Sequence, residues 1–299
     1  MKQELRLIIT QACNYDCYFC HHEGIHTIRR NLLNAEDIGY IFSIANENLG
    51  IETMTITGGE PLLSENIVDV VKKLYDFGCK TTIVTNGSLL NKRMDAIKYL
   101  SKINISLHSL EKDKYEKTVG KKNVFETVIN NIITVRKEYP NIEINLNYAL
   151  ANNEELIKNI SAMILFAKKY NVNVKFIELF PKESENYIPL EKLHNFLIEN
   201  NHVLLEQSER KEKFYNSDSS FLYTTKCLCS RALDHSSPSA FCNKNNDLFI
   251  SPDGKIELCR LHNDDIDLIN EIKKRKDKEL VKKLVLSFNN LGRNCPYEK

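Results

Sequence analysis

The feature that most constrains the fold is a regular alternation of apolar runs and helical patterns, which continues to about Pro181. Short runs rich in β-branched residues alternate with segments in which apolar residues recur every three or four positions. Such a rhythm is typical of βαβ units, which build a parallel sheet covered by helices. We therefore predict an α/β fold whose sheet is closed or partly closed into a barrel. The predicted strands cover residues 4–10, 53–57, 81–85, 103–107, 142–149 and 173–179.

Local signals predict where two helices begin and end. Asn34 is followed three residues later by Asp37, a capping-box pattern, and Gly50 can end that helix in the left-handed conformation. Ser64 is predicted to cap the next helix, and Gly78 to end it.

The pattern changes after the sixth predicted strand. The segments "HVLLEQ", "SFLYTT" and "DLFISPDGKIELC" are strand-like, and residues 252–254 read as a hairpin turn. We therefore predict two domains, a barrel over residues 1–188 and a smaller cysteine-bearing α+β region over residues 189–299.

Composition excludes several classes of function. The 299 residues include 41 basic and 40 acidic side chains, a net charge of +1, so no global field favours nucleic acid or an anionic membrane. No apolar run is long enough for a signal peptide or a membrane span, and we expect a cytoplasmic protein. In that reducing compartment the nine cysteines predict metal ligands rather than disulfides, with Cys79 alone expected in the core.

Three cysteines, Cys13, Cys17 and Cys20, follow the first predicted strand. Three thiolates can bind three irons of a [4Fe-4S] cluster and leave the fourth iron open to a non-protein ligand. The alternative is a structural zinc site with His21 or His22 as the fourth ligand.

Three later segments also come directly after predicted strands. The carboxyl ends of parallel strands form one rim of a barrel, where active sites are built, so we expect these segments to meet. Gly58 and Gly59 allow a backbone to pass close to a ligand, and Glu60 offers a carboxylate beside it. The segments are Thr57–Pro61, Thr85–Gly87, and Ser106 with His108.

The triplet Cys13-x3-Cys17-x2-Cys20, followed by Gly58-Gly59-Glu60-Pro61, resembles the radical SAM superfamily. Within it the MoaA-like GTP 3',8-cyclases are most similar, through "LRLIITQACNYDCYFCHHEG", "MTITGGEPLL", "TTIVTNGSLL", "INISLHSLEKDKYEKTVG" and "VKFIELFP". The resemblance covers residues 5–181 and implies a partial (βα)6 barrel.

The resemblance also implies a chemistry. The open iron would bind the amino and carboxylate groups of S-adenosylmethionine (SAM), and one electron would cleave SAM to methionine and a 5'-deoxyadenosyl radical that abstracts hydrogen from the substrate. An external one-electron donor of the flavodoxin or ferredoxin type is implied as a partner.

Site residues follow from the resemblance position by position. Gly59 and Glu60 would contact the methionine amine of SAM, and Thr85 and Ser106 its ribose or carboxylate side. Lys175 stands where the family usually has an arginine near SAM. The implied SAM site comprises Phe19, Gly58, Gly59, Glu60, Thr85, Asn86, Ser106 and Lys175.

The C-terminal cysteines resemble the second-cluster motif of the same family, C-x2-C-x13-C. Cys242 and Cys259 keep the outer spacing, whereas Asn245 occupies the middle position. We expect a rearranged auxiliary iron–sulfur cluster, as in twitch- or SPASM-type tails; zinc or buried thiols are the alternatives. The cysteines that compete for the missing ligand position are Cys227, Cys229 and Cys295, of which Cys229 is favoured.

Departures from the family concern the substrate. Arg6 is retained as a candidate substrate contact, but Asp247 and Phe249 replace two arginines, and Glu143 falls near the position of a lysine. Because a triphosphate site needs cations, we predict that GTP is not the substrate. His108 replaces an acidic residue and is predicted to face the substrate as a proton donor or hydrogen-bond partner, or else to be a loop histidine without a catalytic role.

The sequence therefore predicts a radical SAM enzyme that acts on a small-molecule or nucleoside-like substrate in a biosynthetic pathway. The alternative enzyme is a maturase of a ribosomally made peptide. The alternative of another class is a non-catalytic zinc-binding scaffold.

Overall fold

The twelve strands found among the described residues form one sheet. The computed structural model describes residues 3–24, 27–150, 155–179, 188–208, 210–215, 220–226, 229, 237–242, 246–259 and 264–295. Along the sheet the strands follow the order β12-β11-β10-β1-β2-β3-β4-β5-β6-β9-β8-β7. They are β1 Glu4–Thr10, β2 Thr53–Gly58, β3 Lys80–Thr85, β4 Lys102–Ser106, β5 Glu143–Leu150, β6 Asn173–Glu178, β7 Val203–Gln207, β8 Lys211–Tyr215, β9 Phe221–Thr225, β10 Asp247–Ile250, β11 Lys255–Glu257 and β12 Asp265–Asp267.

Helices connect the first six strands, which all run parallel. This arrangement confirms the predicted α/β class and all six predicted barrel strands, whose ends shift by one residue at most. The helices are α1 Ala35–Leu49, α2 Ile67–Asp76, α3 Met94–Ile97, α4 Lys112–Val119, α5 Phe125–Glu138, α6 Leu156–Tyr170, α7 Leu190–Glu199, α8 Pro238–Cys242, α9 Ile269–Lys273 and α10 Asp277–Asn289.

The two faces of the sheet have different environments. Leu5, Leu7 and Ile9 of β1 belong to the main hydrophobic core with the apolar faces of the helices. Ile8 packs instead with Phe249 of β10 in a separate small cluster. Because side chains alternate along a strand, Arg6 and Ile8 face the interior of the curved sheet.

An ion pair joins strands near opposite ends of the sheet. Arg210, next to the start of β8, lies 3.6 Å from Asp247, the first residue of β10. These strands are far apart in the order of the sheet, so the sheet must curve around an interior for the two side chains to meet. The structure is a partial barrel, as the sequence predicts.

Helix boundaries confirm one predicted cap and correct another. Asn34 and Asp37 form the predicted capping box at α1, and Gly50 ends that helix with φ 66°. Ser64 does not cap α2, because the helix begins later, after Asn66. The Ser64 hydroxyl instead donates to Asn66 Oδ1 at 2.6 Å.

Strands from the C-terminal part of the chain extend the same sheet. β9 pairs in parallel with β6, and β10 pairs in parallel with β1. The predicted hairpin turn at residues 252–254 connects β10 to β11, which pair antiparallel. The domain division at residue 188 stays a prediction. Within the described residues, no helix has the length and apolar character needed to cross a membrane.

A segment that follows the cysteine loop is fixed to this hairpin by Arg29. The guanidinium lies 3.2–3.3 Å from Asp253, Glu257 and Asp265, and its side chain is only 10% exposed. The backbone N–H of Leu32 also donates to Pro252 O at 3.0 Å. Burial raises the pKa of Glu257 to about 7 although Arg29 opposes that shift.

We expect Arg29→Met to lower the free energy of unfolding by about 3–5 kcal/mol, because it leaves buried carboxylates without their cation. Arg30→Met is the matched control, since Arg30 is exposed, and should change stability by less than about 0.5 kcal/mol. Denaturant titration measures both variants. Equal effects would show that the buried network does not hold this segment.

Candidate active site at the barrel rim

The three predicted cluster cysteines lie on one loop directly after β1. Cys13 and Cys20 are exposed, and Cys17 is half-buried. Backbone N–H groups point at two of the sulfurs: Tyr15 N donates to Cys13 Sγ and His22 N to Cys20 Sγ, both at 3.4 Å. Hydrogen bonds to the sulfur favour the thiolate, which is the form that binds metals.

The three thiols disfavour one another's ionisation. Burial, together with the charges of Cys20, Cys13 and Asp16, raises the pKa of Cys17 to about 12. Burial also raises the pKa of Cys13. Three thiolates on one short loop therefore need a bound cationic group to be stable together.

The cysteine loop suits a cluster better than a single metal ion. No three His, Cys, Asp or Glu side chains converge on a single-ion site anywhere in the part of the chain that the structure describes. A [4Fe-4S] cluster distributes its cysteine ligands over separate irons, so it does not need that convergence. The sulfurs, their N–H donors and their partial exposure fit a [4Fe-4S] cluster with one open iron.

The end of α4 supports the cysteine loop from below. Asp16 N and Tyr18 N donate to Val119 O and Thr118 O, at 3.0 and 3.4 Å. Gly120 ends the helix, and a Cβ there would lie 2.4 Å from Asp16 O. A glycine is therefore required for the helix end to approach the loop so closely.

The Gly58–Gly59 pair lies against the end of β1 and the start of the cysteine loop. A Cβ on Gly58 would lie 2.2 Å from Thr10 O, and one on Gly59 would lie 2.2 Å from Ala12 O. Gly59 N donates to Thr10 O and Glu60 N to Ala12 O, both at 2.8 Å. Both glycines therefore allow a close approach to this neighbouring backbone, and the predicted approach to a ligand stays a prediction.

The Glu60 carboxylate ties together two loops of the rim. It is fully buried and accepts hydrogen bonds from Leu62 N at 3.0 Å, Thr85 Oγ1 at 2.7 Å and Asn86 N at 2.7 Å. Burial raises its pKa to about 7 although these three donors favour the charged form. The oxygens of Glu60 and Thr85 thus already take part in hydrogen bonds within the rim. A contact of either residue with SAM stays a prediction.

Asparagines extend the same network to the cysteine loop. Asn86 Nδ2 donates to Asn14 Oδ1 at 2.8 Å, and Asn14 Nδ2 donates to Ser88 Oγ at 3.0 Å. From α5, Asn131 donates to Gly87 O at 2.8 Å. The cysteine loop and the loops after β2 and β3 therefore form one hydrogen-bonded unit.

His108 lies at the rim beside Phe19. The two rings meet edge to face, 4.8 Å apart. Ala149 N donates to His108 Nδ1 at 3.1 Å, which assigns the proton of the neutral ring to Nε2. Burial lowers the pKa of His108 to about 4, so the ring is neutral at pH 7 and suits hydrogen bonding better than proton donation. A catalytic role for His108 stays a prediction.

Below the rim, the interior holds the residues that replace the family's cations. Asp247 and Phe249 both face Arg6: the guanidinium stacks on the Phe249 ring at 4.9 Å, and Asp247 is one of the carboxylates that raise its pKa against the effect of burial. Glu143 pairs with Lys102 at 2.9 Å.

Ser106 and Lys175 lie on the same inner face. Ser106 pairs in register with Asn147, and Asn147 pairs with Lys175, so Ser106 and Lys175 are two strands apart. Burial, reinforced by the charges of Lys211, Arg6 and Arg210, lowers the pKa of Lys175 to about 7.

Three of the C-terminal cysteines gather around Gly292. A Cβ on Gly292 would lie 2.5 Å from Cys242 Cβ, and Gly292 N donates at 2.8 Å to Leu258 O, next to Cys259. Cys295 N donates to Gly292 O at 3.0 Å. Cys229 is half-buried, whereas Cys227, Asn245 and His262 lie outside the described residues.

The family model for the radical SAM superfamily matches residues 7–164, which include the cysteine loop and the three other predicted rim segments. The chain belongs to the radical SAM superfamily. It is therefore an enzyme, and the superfamily implies a [4Fe-4S] cluster and SAM as its cofactors. The alternative of a non-catalytic zinc scaffold is set aside.

Curated relatives of this radical SAM protein include two archaeal proteins named probable GTP 3',8-cyclase. That of Sulfolobus acidocaldarius is 30% identical over 279 residues, covering 90% of this chain and 85% of its own. That of Pyrobaculum aerophilum is 28% identical over 284 residues, covering 91% and 88%. The relationship confirms the MoaA-like resemblance.

Solved structures share the fold at low sequence identity. Streptococcus suis SuiB bound to S-adenosylmethionine is 15% identical, with a TM-score of 0.65; the match covers 90% of this chain but only 61% of that one. The enzyme anSMEcpe with bound AdoMet is 16% identical, with a TM-score of 0.59, and the match covers 96% of this chain and 84% of that one.

Several site residues carry no signal that sequence reasoning used. Asn14 and Asn131 look like ordinary loop and helix residues, and Gly120 like a helix stop. Asn147 and Lys211 reach the interior only because of strand pairing. The period-two asparagines in "EINLNYAL" are a usable signal, since amides at alternate positions of a buried strand predict a polar inner face.

We expect Gly59→Ala to lower SAM cleavage about 100-fold, because the new Cβ would push the cysteine loop out of position. Gly78→Ala is the control: its Cβ would meet no atom within 4 Å, and its φ of +74° costs stability alone. Production of 5'-deoxyadenosine under dithionite measures both variants. Equal activities would mean that the close approach at Gly59 does not position the cysteines.

Proposed function

We propose that this radical SAM enzyme holds its [4Fe-4S] cluster on Cys13, Cys17 and Cys20 and acts on a small anionic or nucleoside-like molecule bound inside the barrel. The observation that carries the proposal is the hydrogen-bonded unit of three rim loops above a polar interior. When bound, the cluster supplies the electron for reductive cleavage of SAM.

The residues of the rim would then divide the task. The cysteine loop provides three ligands, and the backbone of Gly59 and Glu60 fixes that loop against β2. SAM would lie over the same loops, near Ser106, Asn86 and the ring of Phe19. His108 Nε2–H would donate a hydrogen bond there while its ring stays neutral.

The interior of the barrel argues against GTP as the substrate. The relatives are named probable GTP 3',8-cyclase, but here Phe249 and Asp247 surround the one retained arginine, Arg6. A triphosphate carries about four negative charges, and each charge-assisted hydrogen bond contributes on the order of 1.5–3 kcal/mol. Losing two such partners and gaining a carboxylate should weaken triphosphate binding by several powers of ten.

A second cluster is supported by the geometry around Gly292. Cys242, Cys259 and Cys295 approach one another through this residue although they are far apart in sequence. These are contacts of the backbone and of Cys242 with Gly292, and they bring the three cysteine positions into one region, which supports an auxiliary iron–sulfur cluster there. This grouping favours Cys295, rather than Cys229, as the further ligand.

We expect a Cys13, Cys17 and Cys20 triple alanine variant to lose all SAM cleavage but to keep about four irons at the auxiliary site. Cys242→Ala in the same background should remove those irons, because it breaks the group around Gly292. Anaerobic reconstitution, iron and sulfide analysis and SAM-dependent EPR changes measure this. 5'-Deoxyadenosine from the triple variant would contradict the barrel cluster, and zinc without residual iron would contradict the auxiliary one.

Reduced enzyme supplied anaerobically with SAM and GTP should form no cyclic pterin precursor, for the electrostatic reasons given above. Uncoupled 5'-deoxyadenosine alone is the expected product, detected by liquid chromatography after dephosphorylation. A probable GTP 3',8-cyclase from one of the archaeal relatives, assayed in parallel, is the positive control. Efficient turnover of GTP would contradict the proposed substrate class.

A further inference from the structure

Three buried polar atoms on the inner face of the barrel have no hydrogen-bond partner within the part of the chain that the structure describes: Arg6 Nε, Asn147 Oδ1 and Thr225 Oγ1. Asn147 is 8% exposed and Thr225 5% exposed. Buried polar atoms without partners are rare, and each costs about 1–3 kcal/mol unless a ligand or water satisfies it. Three such atoms around one interior therefore point to a polar ligand.

Asn147 lies at the centre of this inner surface. In register it pairs with Ser106 on one side and with Lys175 on the other. Neighbouring strands are about 4.8 Å apart, so one small molecule can reach all three side chains.

The level below offers a contrast, because there the same kind of side chain is satisfied. Asn145 donates to Asn104 Oδ1 at 3.0 Å, and Asn173 donates to Asn145 Oδ1 at 2.9 Å. Asn145 is two residues before Asn147 on the same strand and the same face. The amides of Asn104, Asn145 and Asn173 are therefore hydrogen-bonded to one another, whereas the amide oxygen of Asn147 is open to another partner.

Two lysines accompany the open amide. Among the described residues, neither Lys175 Nζ nor Lys211 Nζ has a hydrogen bond or an ion pair. Lys211 pairs in register with Thr225, whose hydroxyl is one of the three unsatisfied atoms. Arg210, by contrast, is already paired with Asp247.

We propose that the interior binds a substrate with an anionic group, a carboxylate or a phosphate monoester, and a hydroxyl or amine next to it. Lys175, which the family resemblance places near SAM, is assigned here to the substrate anion together with Lys211, and Asn147 Oδ1 accepts a hydrogen bond from the neighbouring hydroxyl or amine. The inference rests on the proposed function and names its substrate class. SAM also carries a carboxylate and an amine, so the experiment must separate the two ligands.

The probes are D-glycerate, guanosine monophosphate and guanosine, titrated anaerobically into reconstituted, SAM-loaded enzyme by calorimetry. Glycerate and the monophosphate represent the two kinds of anion, and guanosine lacks one. We expect at least one anionic probe to bind, and Lys175→Met, Lys211→Met and Asn147→Leu each to weaken it at least tenfold. The affinity for guanosine should be no higher than the affinity for the anionic probe that binds, because guanosine has no anionic group for the lysines.

Lys213→Met is the matched control. Lys213 lies two residues after Lys211 on the same strand, but it pairs with Glu206 at 3.1 Å and stacks on Phe221 at 4.5 Å. Its removal should change the affinity less than twofold. Asn147→Asp, which is nearly isosteric, is the second variant: it keeps the fold but places a negative charge beside the anion, so it should also weaken binding.

Affinity for glycerate should fall as the pH rises from 6 to 9, because the carboxylate stays ionised while Lys175 loses its charge near pH 7. Lys211, Arg6 and Arg210 are the cations that face Lys175, and Glu4 is the carboxylate. In Lys175→Met this component of the pH dependence should be absent.

Two results would overturn the inference. One is that neither anionic probe binds, or that both bind the variants as tightly as the unchanged enzyme. The other is that Lys175→Met, Lys211→Met or Asn147→Leu weakens binding of SAM rather than of the probes, which would assign the open amide and the lysines to SAM. Failure of the proposed function itself would be visible separately, as SAM cleavage that survives loss of the three loop cysteines.

Discussion

The buried carboxylate of Glu60 is the interaction on which the rim depends. It accepts hydrogen bonds from both the loop after β2 and the loop after β3, while its own backbone N–H donates to Ala12 O at the start of the cysteine loop. A fully buried carboxylate is costly unless it is satisfied, so its three donors must stay in place for the charge to be stable. Through this requirement the position of the cysteines is linked to the positions of Thr85 and Asn86.

The polar groups of the rim and those of the interior differ in how far they are hydrogen-bonded. At the rim, polar groups such as Glu60, Asn86 and Asn14 satisfy one another, which fixes the loops before any ligand binds. In the interior, Asn147 and Lys175 have no such partners within the described chain. A rim whose loops are fixed in advance suits a cluster that stays bound to the protein. Polar groups without partners suit a ligand that enters and leaves the interior.

Sequence reasoning succeeds where local signals decide the structure. The six barrel strands and the cap at Asn34 follow from periodicity and capping chemistry, and the Cys13–Cys20 motif identifies the superfamily. The contact of Gly59 with Ala12 was not predicted, because the sequence does not say which backbone a glycine meets. Lys211 was missed because its place depends on antiparallel pairing with β9, which itself pairs with the distant β6. Such long-range pairing leaves no local pattern.

The inner face explains how a fold of this kind can change its substrate while keeping its cofactor. Because side chains alternate along each strand, Arg6 can be surrounded by Phe249 and Asp247 without any change in the outer core of Leu5 and Leu7. Lys211, Arg6 and Arg210 are the cations near Lys175, a grouping that supports the proposed preference for an anion smaller than a triphosphate. Asp247 and Phe249 lie outside the hydrogen-bonded unit of the rim loops, so a change of charge in the interior leaves the position of the cysteine loop to Glu60 and its partners.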